Sequence, residues 1–571
     1  MTKQLRYLFM LLLSMMVSAH AFAAGNLITE QVTVDVATAG TLSSKIPEAD
    51  KYRITNLKLT GELNVRDIMF IRQMAGCYYD TGSKYPGKLQ HLDLGGAKFV
   101  GESEFDVYDS YGPCTAKFTS NAVGYYVFFD LEHLQSIVLP NGLQTIGNRA
   151  FWGCKSLSSV SFSVGLQSIG GQAFEYCSSL SSVSLPVGLQ SIGNGAFHGC
   201  SSLSSVTLPD GLQSIGGQAF CGCSSLSFVS FPDGLQTIGF EAFWGCKSLS
   251  SVSLPKSLTE IGSSAFRLCN GVTSLKVDEE NPNFTSEGTI LFNKDKTTLI
   301  EGIGNITEYS IPATVTKIGF CAFEGCSSLS SVSLPEGLQT IGHFAFSNCE
   351  SLSSVSFPVG LQTIGNNAFD GCTSLSSVSL PDGLQTIGEW AFVNCSSLNS
   401  VSFPVGLQTI GNSAFDGCES LSSVSLPDGL QTIGGGAFSY CSSLASVSFP
   451  VGLQSIGHMA FYGCSSLASV YVNMKVPAKI EEKSFDDNTK QNATLYVPQG
   501  CIEKYEAADY WRNFYNIKEI GTHVGIDSVS AHDAAKEVSR YGINGQLLNG
   551  PTKGVNIVKY SDGSVKKVAV E

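Results

Sequence analysis

Residues 380–402 read LPDGLQTIGEWAFVNCSSLNSVS, and residues 426–448 read LPDGLQTIGGGAFSYCSSLASVS. The 23-residue block recurs in thirteen copies, six between residues 139 and 276 and seven between residues 311 and 471. A fixed period in the twenties marks a solenoid, in which each unit buries its apolar face only by stacking on its neighbours. In the copy at 380, strand alternation turns Val378 and Leu380 inward after Leu375. Pro381 and Asp382-Gly383 then turn the chain. Leu384 and Ile387 point inward on the next segment, and Gly388 turns it. Ala391 and Phe392 fill the centre, with Cys395 and Leu398 closing the coil. One coil cannot offset the ordering entropy of 23 residues, at about 1–2 kcal/mol each for the backbone, so stability must come from stacking.

The expected fold is therefore a leucine-rich-repeat solenoid, a right-handed coil of 23-residue units, mostly β with short irregular or 3-10 turns. A second period of 46 residues overlies the first. From residue 334 the copies alternate LPxG and FPVG, at Leu334, Phe357, Leu380, Phe403, Leu426 and Phe449.

The chain has 571 residues, 43% apolar and only 14% charged, with a net charge of −14. A charged fraction near a quarter is usual, so Ser, Thr, Gln and Gly supply the polar surface. The acidic balance argues against nucleic acid as a partner, because phosphates call for a basic stripe. Lys3 and Arg6, an apolar run over 8–17 and Ala21-Phe22-Ala23 read as a secretory signal peptide cut after Ala23. No other run is long enough to span a bilayer, and the mature chain is expected to leave the cytosol.

Thirteen of the eighteen cysteines occupy one repeat position, from Cys154 to Cys464. Equal phase stacks them into a ladder of small buried thiols. Disulfides between neighbouring coils are the other reading. Zinc-site spacing is missing.

Residues 24–135 precede the regular array and read as an N-terminal cap with degenerate first repeats. Residues 53–59 (RITNLKL) are strand-like. Residues 64–75 (NVRDIMFIRQMA) have helical spacing, with Val65, Ile68, Ile71 and Met74 on one face and Asn64 as cap. Leu89, Leu92 and Leu94 form an early LxxLxL strand. Glu102, Glu104, Asp106 and Asp109 fall in a stretch read as an acidic loop; calcium is the other reading. The array spans 136–475 and is interrupted at 277–310 by an expected β-hairpin, read either as a protruding contact element or as a tolerated insertion. Residues 476–520 form a C-terminal cap, 521–535 a polar linker, and 536–571 a small β unit of three alternating strands.

The LPDGLQTIGxxAFxGCSSLSSVS copies, the break at 277–310 and the ending YVPQGCIEKYEAADYW resemble the BspA-like bacterial surface leucine-rich-repeat proteins. That resemblance implies surface display, adhesion to host matrix proteins or epithelium, and aggregation between bacteria. The tail segments GINGQLL, PTKGVNIV and DGSVKKVAV are similar to C-terminal sorting domains of the type IX secretion system, which implies display on the bacterial outer surface.

No GxSxG elbow, HExxH or P-loop is present. His198, His343 and His458 stand at variable positions in isolated coils and read as surface residues. The expected protein is not an enzyme, takes no cofactor and no metal, and binds a protein or glycan on host or bacterial surfaces; a structural spacer is the alternative. Candidate ligand contacts are the exposed strand serines Ser376, Ser377 and Ser379, and large or polar residues where coils differ: Trp152, Phe240, Trp244, His343, Glu389 and Trp390.

Overall fold

The computed structural model describes residues 26–77, 84–108, 113–521, 537–542, 547–548, 554–560 and 565–570. The signal segment with Ala23, the linker after Gly521, Asp109 and parts of the tail lie outside them. Residues 1–518 and 519–571 form two compact units.

In the first unit the regular coils carry two short strands that stack in parallel on their copies, the first being reduced to a single bridge at Ser354. Ser377–Ser379 pairs with Ser400–Ser402 in register, Val378 against Val401. Thr386–Ile387 pairs likewise with Thr409–Ile410. The inward set is as the alternation predicts: Leu375, Val378, Leu380, Leu384, Ile387, Ala391, Phe392, Cys395 and Leu398 are all buried. Gly388 opens the expected turn, its carbonyl accepting the Ala391 N–H at 3.3 Å, and it has a second role. A Cβ there would lie 2.6 Å from the Gly365 backbone carbon, so the glycine permits close approach of neighbouring coils.

The third side of the coil is a ladder that is not a β-strand. Trp390 and Asn394 hold left-handed backbone, at φ 54° and 58°. This conformation is uncommon for non-glycine residues, and the second position is glycine in many copies, such as Gly371 and Gly417. Alternating handedness turns the peptide planes one way. The N–H groups of Trp390, Phe392 and Asn394 donate to Asn412, Ala414 and Asp416 of the next coil, each at 2.8 Å. The carbonyls of Glu389, Ala391 and Val393 accept from the previous coil. The row thus has a carbonyl end toward the N-terminus and an N–H end toward the C-terminus.

Side chains cap both ends. At the start, the buried Arg72 guanidinium donates to the carbonyls of Val127 (2.9 Å), Phe129 (3.3 Å) and Tyr126 (3.4 Å). At the end, Gly463 N–H donates to the Asp486 carboxylate at 2.9 Å. A cation at the carbonyl end and an anion at the N–H end is the arrangement that dipoles favour.

The ladder phenylalanines stack face to face, with Phe392 5.2 Å from Phe369 and 5.3 Å from Phe415. The 46-residue period has a packing meaning. Phe357, Phe403 and Phe449 meet Phe369, Phe415 and Phe461 edge-on, at 79°, 90° and 73°. The cysteine ladder forms, and none of the eighteen cysteines is in a disulfide. In twelve coils the thiol donates to the carbonyl of the phenylalanine 26 residues earlier, as Cys395 does to Phe369 at 3.2 Å.

The interruption is a three-stranded antiparallel meander, Phe284–Glu287, Ile290–Asn293 and Thr298–Gly302. It does not stand out from the array as a separate hairpin: Thr298–Gly302 pairs in parallel with Lys317–Ile318 and continues the sheet. Ile290–Asn293 lies between two cores, with Leu291 in the core on the N-terminal side and Ile290 and Phe292 in the other. The polar ladder is bridged here as well. Glu301 accepts the Phe266 N–H at 3.0 Å, and Gly302 N–H donates to Ala322 at 2.7 Å.

The expected helix is Val65–Met74, capped by Asn64 and Asp67, with Ile68, Ile71 and Met74 buried. Leu89, Leu92 and Leu94 are buried about the strand His91–Phe99. The acidic stretch is not a loop. Ser103–Tyr108 pairs antiparallel with Pro113–Phe118, Glu104 opposite Lys117. Alternation with Phe105 and the buried Val107 makes it a strand and leaves Glu102, Glu104 and Asp106 exposed. The C-terminal end has the strand Thr494–Val497, helix Ile502–Ala507, a 3-10 turn at Trp511–Asn513 and strand Asn516–Glu519.

The second unit holds Glu537–Gly542, Leu547–Leu548, Gly554–Tyr560 and Val565–Val570 in one antiparallel sheet. It has a short strand, Leu547–Leu548, beyond the three expected.

Candidate functional surface

The exposed strand face is the broadest feature that every regular coil repeats. Ser376, Ser377 and Ser379 are all exposed, but they differ in what they do. The Ser376 hydroxyl donates to the Ser353 carbonyl of the previous coil at 3.2 Å. Ser204, Ser227, Ser250, Ser330 and Ser353 do the same, so this row ties coil to coil. The side chains of Ser377 and Ser379 point outward from the alternating strand and leave their hydroxyls to solvent. Stacking repeats them as Ser400 and Ser402, then Ser423 and Ser425, about 4.8 Å apart. The face ends on a stacked pair, Tyr471 over Tyr496, 4.6 Å between centroids.

The turn beside this face carries a signal that the sequence reading passed over. In the FPVG coils Val359, Val405 and Val451 are 74%, 77% and 71% exposed. In the intervening LPxG coils the same position is Glu336, Asp382 or Asp428, also exposed. The ridge therefore alternates apolar and acidic at twice the coil spacing. The 46-residue alternation was its visible trace.

The variable positions divide. Trp390 is 43% exposed and available for contact. Glu389 is half-buried and largely structural: its N–H donates to Asn366 Oδ1 at 3.1 Å, and its Oε1 accepts from Asn412 Nδ2 at 2.9 Å. His343 is exposed, yet its Nδ1 accepts the Asn366 N–H at 2.8 Å in the same side-chain ladder. Phe240 is 51% exposed and lies over Gly217, whose added Cβ would meet the ring at 2.5 Å. Trp244 is half-buried. Trp152 is half-buried, donates to Glu175 and packs on Phe129. The structure does not gather these residues into one pocket; they lie along the array. His198 is not isolated: its Nδ1 is 3.0 Å from Glu175 Oε1. The signal was in the sequence, since 175 and 198 differ by one repeat.

Among the described residues no three carboxylate, thiol or imidazole groups converge to hold a metal ion, and no helix is long and apolar enough to cross a membrane. Burial pushes ladder thiols such as Cys154 and Cys372 up to about 12, which keeps them protonated.

A family model described as "BspA type Leucine rich repeat region (6 copies)" matches residues 114–226, 190–301, 296–419 and 362–493. Among solved structures, a leucine-rich repeat protein from Bacteroides ovatus is 29% identical over 67% of this chain and 88% of that one, with a TM-score of 0.41. A leucine rich cell surface protein from Faecalibacterium prausnitzii is 25% identical over 68% and 89%, with a TM-score of 0.42. The pneumococcal vaccine antigen PcpA is 25% identical over 71% and 86%, with a TM-score of 0.40. No curated protein matches the chain.

Proposed function

The chain belongs to the BspA-type leucine-rich-repeat family, and from that premise we propose that it is a cell-surface adhesion protein, binding proteins or glycans of host or bacterial surfaces by many weak contacts along the solenoid. The observation that carries this reading is the exposed strand face, where the Ser377 and Ser379 hydroxyls recur coil after coil in register. An extended ligand that satisfies one coil meets the same donors and acceptors one coil further on. Linked weak contacts then reach an avidity that no single coil provides. The ridge of Val359, Val405 and Val451 between acidic residues adds an apolar contact on every second coil.

The test displays the folded array on inert beads and measures adhesion to matrix proteins and epithelial cells. Binding is expected to fall in steps as pairs of coils are removed. Adhesion no greater than that of an array with a scrambled surface would leave the spacer role.

The N-terminal segment over 1–23 and the tail over 536–571 support export followed by display at the outer surface through a type IX route. Deleting 536–571 is expected to hold the chain in the periplasm. Surface exposure of the truncated chain would overturn that assignment. This reading requires no cofactor.

A further inference from the structure

The ridge of alternating valine and acid has a fixed pitch. Each ridge residue sits in the turn between the two strands of its coil, as Asp382 does between Ser377–Ser379 and Thr386–Ile387. Both strands pair in register with their copies one coil on. The turns themselves touch: a Cβ on Gly429 would lie 2.7 Å from the Val405 carbonyl oxygen, and one on Gly452 3.2 Å from that of Asp428. The ridge therefore advances at the strand spacing of about 4.8 Å per coil, and Val359, Val405 and Val451 stand about 9.6 Å apart. Asp382 and Asp428 fall midway between them. The alternation belongs to the coils after residue 311; in the earlier coils the ridge reads Val164, Val187, Asp210, Asp233 and Lys256. Charge is one-sided in the same region. Residues 318–474 contain nine Asp and Glu and no Lys or Arg.

A chain lying along the ridge is selected by its own repeat. An extended β-strand presents the same face every two residues, about 6.6–6.8 Å, and has left the valines after one step. Two turns of α-helix cover about 10.8 Å and overshoot two coils by about 1.2 Å. A polyproline II chain has three residues per turn at about 3.1 Å each, so that one turn covers about 9.3 Å. It misses two coils by only about 0.3 Å and drifts by about 0.6 Å between Val359 and Val451. Each turn then sets one residue against a valine. The two residues that follow stand about 3.1 and 6.2 Å further on, on either side of the intervening aspartate. A long basic side chain at either place reaches the carboxylate.

We propose that the ridge from Glu336 to Val451 binds a single proline-rich chain in the polyproline II conformation, with lysine or arginine at every third residue, laid along the solenoid axis. The inference rests on the adhesive reading above and names the ligand of that surface. Proline meets the exposed valines with an apolar ring, and a preformed polyproline II chain loses little freedom on docking. Its backbone makes no hydrogen bonds of its own. Gln385 and Gln408, exposed three residues beyond Asp382 and Val405, carry amides suited to it.

The test titrates the full chain against a labelled peptide of four Pro-Pro-Lys units and follows fluorescence anisotropy at low salt. A peptide of four Gly-Ser-Lys units has the same charge without the preformed helix, and is expected to bind at least about tenfold more weakly. Four Pro-Pro-Glu units should not bind. Val359→Ser, Val405→Ser and Val451→Ser together should weaken Pro-Pro-Lys binding about tenfold or more. Asp382→Asn with Asp428→Asn should weaken it and flatten its salt dependence. All five side chains are exposed, so the variants should melt with the wild type. Equal affinity for the Pro-Pro-Lys and Gly-Ser-Lys peptides, or for wild type and the valine variant, overturns the proposal. The bead assay on the same array separates the two readings: adhesion without peptide binding removes only this ligand, whereas no adhesion removes the reading beneath it.

Discussion

Replacing Phe392 by alanine tests whether the array is held by nearest neighbours. The ring is wholly buried and lies between Phe369 and Phe415, tilted only 3° and 4° from them. Its N–H bond to Ala414 involves backbone alone and survives the substitution. What is lost is apolar burial and two stacking contacts, and a cavity is left whose walls are neighbouring coils. Phe→Ala at such a site costs about 3–5 kcal/mol. At about 4 kcal/mol, local opening becomes roughly a thousandfold more frequent. In a quasi-one-dimensional array that loss stays near its origin. Hydrogen exchange read by mass spectrometry should show peptides with Ser377–Ser379 and Ser400–Ser402 losing protection. Peptides with Ser182–Ser184 and Ser205–Thr207 lie beyond the Glu301 joint and should keep theirs. Equal loss along the whole array would refute nearest-neighbour stabilisation, and unchanged protection around Phe392 would refute the cavity term.

Arg72→Met leaves the Val127 and Phe129 carbonyls uncapped in a buried place, at a cost of about 3 kcal/mol; exchange should rise over residues 126–152 and not over 390–460. Burial pushes the Glu301 carboxyl up to about 8 from about 4.3. Its neutral form is the one the fold favours, so its contribution is full below about pH 4 and is lost as pH rises through about 8. Glu301→Gln keeps an acceptor for the Phe266 N–H and cannot ionise. Melting temperatures at acid and alkaline pH should therefore diverge less in the variant than in the wild type; identical slopes would contradict the buried titration.

The sequence alone determined the period, the inward set and the core. Leu, Ile, Ala, Phe, Cys and Val recur at fixed phase, and a repeat of that kind buries its apolar face in one way. Asn64 and the helical spacing after it were enough to place Val65–Met74. The acidic stretch at 102–106 misled, because carboxylates attract attention before the alternation of Phe105 and Val107 does. Tertiary structure decided the rest. Left-handed backbone at Trp390 and Asn394 follows from no propensity; it is imposed by hydrogen bonds to coils on either side. That polar ladder needs charges at its ends, and Arg72 and Asp486 become caps only because the fold carries them there, far apart in sequence. The same holds for Glu389 and His343, which looked free to vary for a ligand and are engaged with the next coil. Glu175 and His198 are legible as a pair only when 23 residues of chain are known to equal one step of about 4.8 Å in space.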